Sequence, residues 1–197
     1  MAEPTPDEIL ARVREVYSGC RTYRDTGVVE CRYFPLEGGS MWFCERMTFA
    51  TAFERPDHFR FEYREQELGE DEWMLILWNA GRVRSITTIK PLPVAEQVTK
   101  CERASLVGLE CYRLHWSLHE GERVTVWVGC TDFLIRQLDE MSLLDGRHLA
   151  ELDATLPDDV EPPPRQPFRT ESSTTYEPVL DAAIEPERFA QPSSWGS

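Results

Sequence analysis

The fold class is decided by two stretches of sequence, MWFCERMTFATAF at residues 41–53 and FRFEYR at residues 59–64. In the first, five of the seven odd-numbered positions carry large apolar side chains. In the second, Phe59, Phe61 and Tyr63 alternate with charged residues. A period of two is typical of strands that bury one face and expose the other. The two stretches therefore predict neighbouring strands that share one apolar face.

Further short strands are predicted on both sides of these two. They lie at residues 27–34, 73–78, 83–89, 112–118, 124–128 and 133–138, with a closing strand after residue 170. Residues 90–105 are ambiguous, because Pro91 and Pro93 interrupt any strand there. Consecutive short strands joined by turns favour an antiparallel meander.

An amphipathic helix is predicted at the N-terminus. Thr5, Pro6 and Glu8 form a capping box with proline at the first helical position. A single apolar stripe follows, made of Ile9, Val13, Val16, Tyr17 and Cys20. A second, short helix is predicted at residues 142–152. One long helix and about eight antiparallel strands give an α+β fold.

The length and charge restrict the organisation and the partners. We expect the 197 residues to form a single domain, 1–197. The net charge of −14 disfavours nucleic acids and anionic membranes as partners. The longest apolar run, residues 73–78, is far short of the ~20 residues of a membrane-spanning helix. An acidic, proline-rich insertion is expected at about 139–170, and a closing strand at about 170–190.

The residues that usually carry catalysis show no recognisable arrangement. His115 and His119 are four apart, which on a strand separates them by ~13 Å and prevents them from sharing one ion. The six cysteines contain no Cys-x-x-Cys pair, so we interpret them as buried thiols. We expect no enzyme activity, no cofactor and no metal. A hydrolase or metal enzyme that uses cysteine and histidine is a weaker alternative to the two binding functions described below.

The aromatic residues indicate where a ligand would bind. Residues 33–78 hold eleven of the 21 aromatic residues, more than one helix can cover. The predicted hydrophobic lining consists of Phe43, Met47, Phe49, Phe59, Phe61 and Tyr63. Arg55 is predicted at the mouth of this site, positioned by Pro56. The alternative is that the second helix and the tail complete an ordinary core.

Several stretches resemble the LolA-like lipoprotein-carrier superfamily, in particular an uncharacterised bacterial branch of it. They are YSGCRTYRDTG at 17–27, FERPDHFRFE at 53–62, the turn NAG at 79–81, CYRL at 111–114, VWV at 126–128 and FLIR at 133–136. The resemblance covers roughly residues 8–138 and 175–189. It implies an open antiparallel half-barrel of eight or more strands wrapped over the N-terminal helix and a short second helix. Acyl chains would lie between the sheet and the helices.

Taken together, we expect a non-enzymatic protein that binds an acyl chain, a lipoprotein or another hydrophobic ligand on the concave face of its sheet. The alternative is a sensor or scaffold domain of the same fold, with a self-filled cavity, that contacts a protein partner through its acidic C-terminal region. The printed N-terminus has no basic or apolar leader segment, which predicts a cytoplasmic protein. The alternative is a mature envelope protein whose leader was removed.

Overall fold

A computed structural model describes residues 3–65, 73–79, 82–83, 97–117, 121–145 and 166–190. Within these ranges the chain forms one α-helix, α1 (Pro6–Gly19), eleven strands and a short 3-10 helix at Pro186–Phe189. The strands are β1 (Thr22–Pro35), β2 (Phe43–Glu54), β3 (His58–Glu65), β4 (Trp73–Asn79), β5 (Arg82–Val83), β6 (Val98–Leu106), β7 (Leu109–Ser117), β8 (Arg123–Gly129), β9 (Ile135–Leu144), β10 (Phe168–Tyr176) and β11 (Val179–Leu180).

All the strands belong to one antiparallel sheet. Its order is β5-β4-β3-β2-β1-β10-β9-β8-β7-β6, and β11 pairs with the beginning of β1. Two meanders, β1–β5 and β6–β10, therefore meet where β1 pairs with β10, with Gly27 opposite Tyr176 and Pro35 opposite Phe168. The α+β class and the open antiparallel half-barrel over α1 are confirmed.

Helix α1 begins at the predicted capping box. The Thr5 hydroxyl accepts a hydrogen bond from the Glu8 amide at 3.3 Å, and the Glu8 carboxylate accepts one from the Thr5 amide at 2.7 Å. These two bonds satisfy amide groups that have no partner within the helix. The hydrogen bonds that the Glu8 carboxylate accepts from the Thr5 amide and hydroxyl lower the pKa of Glu8.

The buried face of α1 packs on one half of the sheet. Ile9, Leu10 and Val13 form a core cluster with Tyr112, Leu114 and Trp116 of β7 and with Val124, Val126 and Val128 of β8. Fully burying one such aliphatic side chain contributes about 2 kcal/mol to the free energy of unfolding. The core therefore lies beneath α1, at the β7–β8 side of the sheet.

Three predicted boundaries differ from the structure. Strand β1 begins at Thr22, five residues before the predicted strand, and the ambiguous stretch before residue 106 contains β6. The helix predicted from Ser142 is wrong over its first three residues, because β9 continues to Leu144 between β8 and β10. Pairing on both sides outweighs the local helical tendency of this segment. Residues 146–152 of that helix, residues 84–89 of the strand predicted at 83–89, and residues 146–165 of the proline-rich insertion lie outside the described residues.

The acidic stretch predicted at about 139–170 falls partly within the sheet. Its first residues belong to β9 and its last residues to β10, and the structure does not describe the interval 146–165. The predicted closing strand corresponds to β10, which begins at Phe168.

Candidate functional site

The strand register brings the predicted lining residues to one face of the sheet. Between β2 and β3, Phe49 pairs with Tyr63 and Phe53 pairs with Phe59, while Phe61 lies opposite Thr51. Paired residues of neighbouring strands point to the same side. We call this side of β2 and β3 the aromatic face, and it consists of Phe43, Met47, Phe49, Phe59, Phe61 and Tyr63.

The aromatic face is continuous with the face that packs against α1. One row of paired residues crosses the sheet from Val126 through Leu138, Thr174 and Val29 to Met47. Val126 belongs to the core beneath α1, so Met47 lies on the helix side of the sheet. The interior of the half-barrel therefore extends from β8 to β3.

Helix α1 is too narrow to cover this whole interior. Strand β2 lies four strand spacings from β8, roughly 19 Å along the sheet. An α-helix with its side chains is about 10 Å wide, or two such spacings. The buried residues of α1 pack on β7 and β8, and its C-terminal end reaches Arg55 in the β2–β3 turn, so these contacts leave the aromatic face away from that turn uncovered by the helix.

Burial changes along the aromatic face. Phe43, at the beginning of β2, is 42% exposed, whereas Met47 and Phe49 are 7% and 8% exposed. The centre of the Phe49 ring is 6.1 Å from that of Phe61 and 5.6 Å from that of Tyr176. The Tyr63 hydroxyl donates a hydrogen bond to the Met47 sulfur. The face is thus open at one end and closely packed farther along the strands.

Gly27 permits the packing of Phe49. A Cβ atom at residue 27 would lie 2.4 Å from the Phe49 ring and 2.0 Å from the Thr175 carbonyl oxygen. Real Cβ atoms do not approach other atoms so closely, so only glycine allows the ring to lie on the β1 backbone.

Arg55 takes a position that the sequence did not indicate. Its guanidinium donates to the carbonyl oxygens of Cys20 at 2.9 Å and Tyr17 at 3.1 Å, at the C-terminal end of α1. It also lies 5.4 Å from the centre of the Phe53 ring. A cation at this position donates hydrogen bonds to the last helix carbonyls and interacts favourably with the negative end of the helix dipole. The structure therefore places Arg55 at the end of α1.

The opposite face of β3 is covered as well, which sequence reasoning missed. Alternation assigned Arg60 and Glu62 to solvent, but Glu62 is buried and forms an ion pair with Arg60. Arg60 also donates to the carbonyl oxygens of Arg188 at 2.8 Å and Ala190 at 3.1 Å. The segment around Pro186–Phe189 therefore packs on this face, and no local pattern in β3 could have revealed it.

A cavity of about 810 Å³ is bounded by described residues of several strands. On β2 and β3, most of the residues that line this cavity lie on the side of the sheet opposite the aromatic face, among them Thr48, Glu62 and Arg64. Val107 and Leu109 of the β6–β7 turn also line it. Of the predicted lining residues, Phe49 contributes to this cavity.

A buried carboxylate lies at the beginning of β1. Asp25 accepts hydrogen bonds from the Tyr23 hydroxyl at 2.7 Å and from the Glu177 amide at 2.8 Å. Burial raises the pKa of Asp25, although both hydrogen bonds oppose this shift. Burial also raises the pKa of Tyr17 and of Tyr176, each to about 12.

The cysteines are not grouped with other potential metal ligands in the described ranges of the chain. All six cysteines are free thiols, and burial raises the pKa of Cys20, Cys31, Cys101, Cys111 and Cys130. Among the residues that the structure describes, no three His, Cys, Asp or Glu side chains are grouped to hold a metal ion. In the same part of the chain, no helix combines the length and the apolar character needed to cross a membrane.

Comparisons with known proteins return structural similarity only. No family model matches the sequence, and no curated protein matches it. A DUF1329 family protein from Desulfovibrio piger is 11% identical, with 94% of this chain and 95% of that chain covered and a TM-score of 0.34. A candidate outer membrane lipoprotein-sorting protein domain from Vibrio parahaemolyticus is 9% identical, with coverage of 92% and 94% and a TM-score of 0.35.

A LolA superfamily protein from Nitrosomonas europaea is also similar in structure. It is 13% identical, with 96% of this chain and 99% of that chain covered and a TM-score of 0.32.

Proposed function

We propose that this protein is a non-enzymatic carrier that holds an acyl chain or a similar hydrophobic ligand against the aromatic face. One observation carries the proposal: the apolar interior of the half-barrel extends to β2 and β3, whereas the core contacts of α1 are with β7 and β8. Concave apolar surfaces with few polar groups are the usual sites for such ligands. The resemblance of the sequence motifs to lipoprotein carriers agrees with this function.

The ligand-contacting residues that we propose are Met47, Phe49, Phe59, Phe61 and Tyr63, with Phe43 at the open end. Arg55 is proposed to act through α1, because its donors already engage helix carbonyls. It would hold the helix beside the site and would not contact the ligand.

The Phe61→Glu substitution tests the assignment of this face. We expect the variant to lose binding of a fluorescent fatty acid at least about tenfold, because the ligand would have to desolvate a carboxylate. Arg46→Glu is the matched control, since Arg46 is exposed and lies on the opposite face of β2. Equilibrium titration measures the affinity, and circular dichroism verifies that each variant is folded.

Phe61→Ala removes the ring without adding charge and serves if the glutamate variant does not fold. Unchanged affinity in a folded Phe61 variant would show that the ligand does not contact this face. Native mass spectrometry of protein purified without detergent provides an independent test. Bound fatty acid or phospholipid at about one per chain would support the carrier function.

A second candidate is a sensor or scaffold domain with a filled cavity that acts through a protein partner. It is favoured by the burial of Met47 and Phe49 among the side chains of the protein itself. Under this alternative, native mass spectrometry gives the mass of the chain alone, and incubation with lipids leaves that mass unchanged.

A further inference from the structure

An exposed apolar surface lies at the turn between β1 and β2. Leu36, Met41, Trp42 and Phe43 are each between 37% and 44% exposed. We call these four residues the hairpin tip. They account for four of the seven large apolar residues that are exposed in the described part of the chain, and they lie within eight consecutive positions. Clustered apolar exposure of this kind marks interaction surfaces.

The hairpin tip is held in place by a well-packed base. The Trp42 amide donates to the Tyr33 carbonyl oxygen at 2.8 Å, and the Phe43 ring stacks on the Tyr33 ring at 4.2 Å between centres. The Trp42 ring lies 6.0 Å from that of Phe168, which is buried. These ring contacts hold the Phe43 and Trp42 side chains in place while both stay partly exposed.

Two glycines shape the turn between β1 and β2. Gly38 and Gly39 have φ angles of +86° and +137°, which other residues rarely adopt. The Leu36 amide donates to the Pro167 carbonyl oxygen at 3.3 Å, which ties the turn to the beginning of β10.

The hairpin tip is also the open end of the aromatic face. Phe43 belongs to both, and Met47 follows four residues later, about 13 Å along β2, where the face is buried. A ligand that entered at the tip would meet the apolar side chains of Phe43 and Met47, with one acidic residue of β2 between them on the same face. The polar group on the way, the Glu45 carboxylate, is already bonded to the Tyr33 hydroxyl at 2.7 Å.

The local charge identifies the kind of surface that the tip fits. Residues 32–46 contain two arginines and two glutamates, so this segment is neutral within a chain of net charge −14. The acidic protein would be repelled by an anionic bilayer, whereas a neutral tip can approach uncharged headgroups. Tryptophan, leucine, methionine and phenylalanine are suited to the boundary between headgroups and acyl chains.

We propose that the hairpin tip inserts into the surface of a zwitterionic bilayer and that the ligand passes directly between the bilayer and the aromatic face. This inference rests on the proposed carrier function and adds its membrane-contact point. Transfer then occurs during contact with the membrane, so its rate rises with vesicle concentration.

The experiment compares transfer with affinity for the same fatty acid. Phosphatidylcholine vesicles loaded with a fluorescent fatty acid are mixed with the full-length protein, and stopped-flow fluorescence follows transfer at several vesicle concentrations. Leu36→Ser/Trp42→Ser should slow transfer about tenfold, as expected when apolar burial at the membrane is lost, and leave the Kd for free fatty acid unchanged. Leu36→Ser/Met41→Ser keeps the Trp42 contact with Phe168 and repeats the test if the first variant unfolds.

Val107→Ser is the matched control, because Val107 is 98% exposed at a different hairpin turn. It should transfer ligand as fast as the unchanged protein. Equal transfer rates in the hairpin-tip variants and the control, with fatty acid still bound, would overturn this inference alone. Absence of fatty-acid binding by the unchanged protein would overturn the carrier function and this inference together. If the unchanged protein and the control were dimers, the tip variants were monomers, and transfer was unaffected, the tip would be assigned to self-association instead.

Discussion

At the scale of single residues, Asp25 is the least expected group in the sheet. Its carboxylate is 4% exposed, and both of its bonding partners, Tyr23 and the Glu177 amide, belong to β1 or to the chain just after β10. Burial disfavours the charged form more than the two hydrogen bonds favour it, so its pKa is raised. The folded protein therefore binds a proton at Asp25 more tightly than the unfolded chain does.

This raised pKa sets the direction of a pH dependence. The stabilisation from the proton on Asp25 is complete below the unfolded value of ~3.9 and is lost as pH rises through the folded pKa. Asparagine cannot ionise. We therefore expect the free energy of unfolding of Asp25→Asn to decrease less than that of the unchanged protein when the pH is raised from 4 to 7. Urea denaturation at the two pH values measures this difference.

Asp57→Asn is the control, because Asp57 is exposed in the β2–β3 turn. Its free energy of unfolding should follow that of the unchanged protein at both pH values. If Asp25→Asn did so as well, ionisation of Asp25 would have no part in the stability of the fold.

At the scale of elements, α1 and the β2–β3 turn are joined through one side chain. Arg55 supplies the cation at the C-terminal end of α1, whose own last turn contains no basic residue. The helix is thereby fixed at both ends, by the capping box at Thr5 and by a residue from the sheet. This contact joins the C-terminal end of α1 to the turn between the two strands of the aromatic face.

The Arg55→Ala substitution tests this contact. We expect the free energy of unfolding to fall by about 1 kcal/mol, the usual contribution of a cation at a helix C-terminus. Arg21→Ala is the matched control, since the Arg21 side chain is 80% exposed and pairs with Glu54. Thermal denaturation measures both. A loss of fatty-acid affinity in Arg55→Ala with unchanged stability would instead indicate a direct contact with the ligand.

At the scale of the whole molecule, the C-terminal region completes the sheet. Strand β10 lies between β1 and β9 and joins the two meanders, so it forms hydrogen bonds along both edges. The following segment covers Glu62 and Arg60 on the other face of β3. Strand β10 and this segment are therefore part of the fold. If the acidic C-terminal region binds a protein partner, residues outside these two parts would make the contact.

Two truncations distinguish these contributions. Deleting residues 157–197 removes β10 and should abolish cooperative unfolding, because β1 and β9 lose their shared neighbour. Ending the chain after Glu177 retains β10 and should give a folded protein of lower stability. Calorimetry of both truncated chains is the measurement. A cooperative transition in the shorter chain would contradict the central position of β10.

The sequence by itself determined the local features, because each depends on residues a few positions apart. The capping box placed the beginning of α1, and alternation assigned the aromatic residues of β2 and β3 to one face. Side chains two apart on a strand must share a face whatever surrounds them. The composition of the aromatic face could thus be predicted from the sequence alone.

The tertiary structure alone decided which strands meet and what covers each face. Nothing near Gly27 indicates that Tyr176 pairs with it, and Arg55 gives no local sign that its donors reach the end of α1. Likewise, Ser142–Leu144 join β9 because strands on both sides supply hydrogen bonds. Such contacts arise between segments far apart in the chain, where the free energy depends on partners that no local pattern specifies.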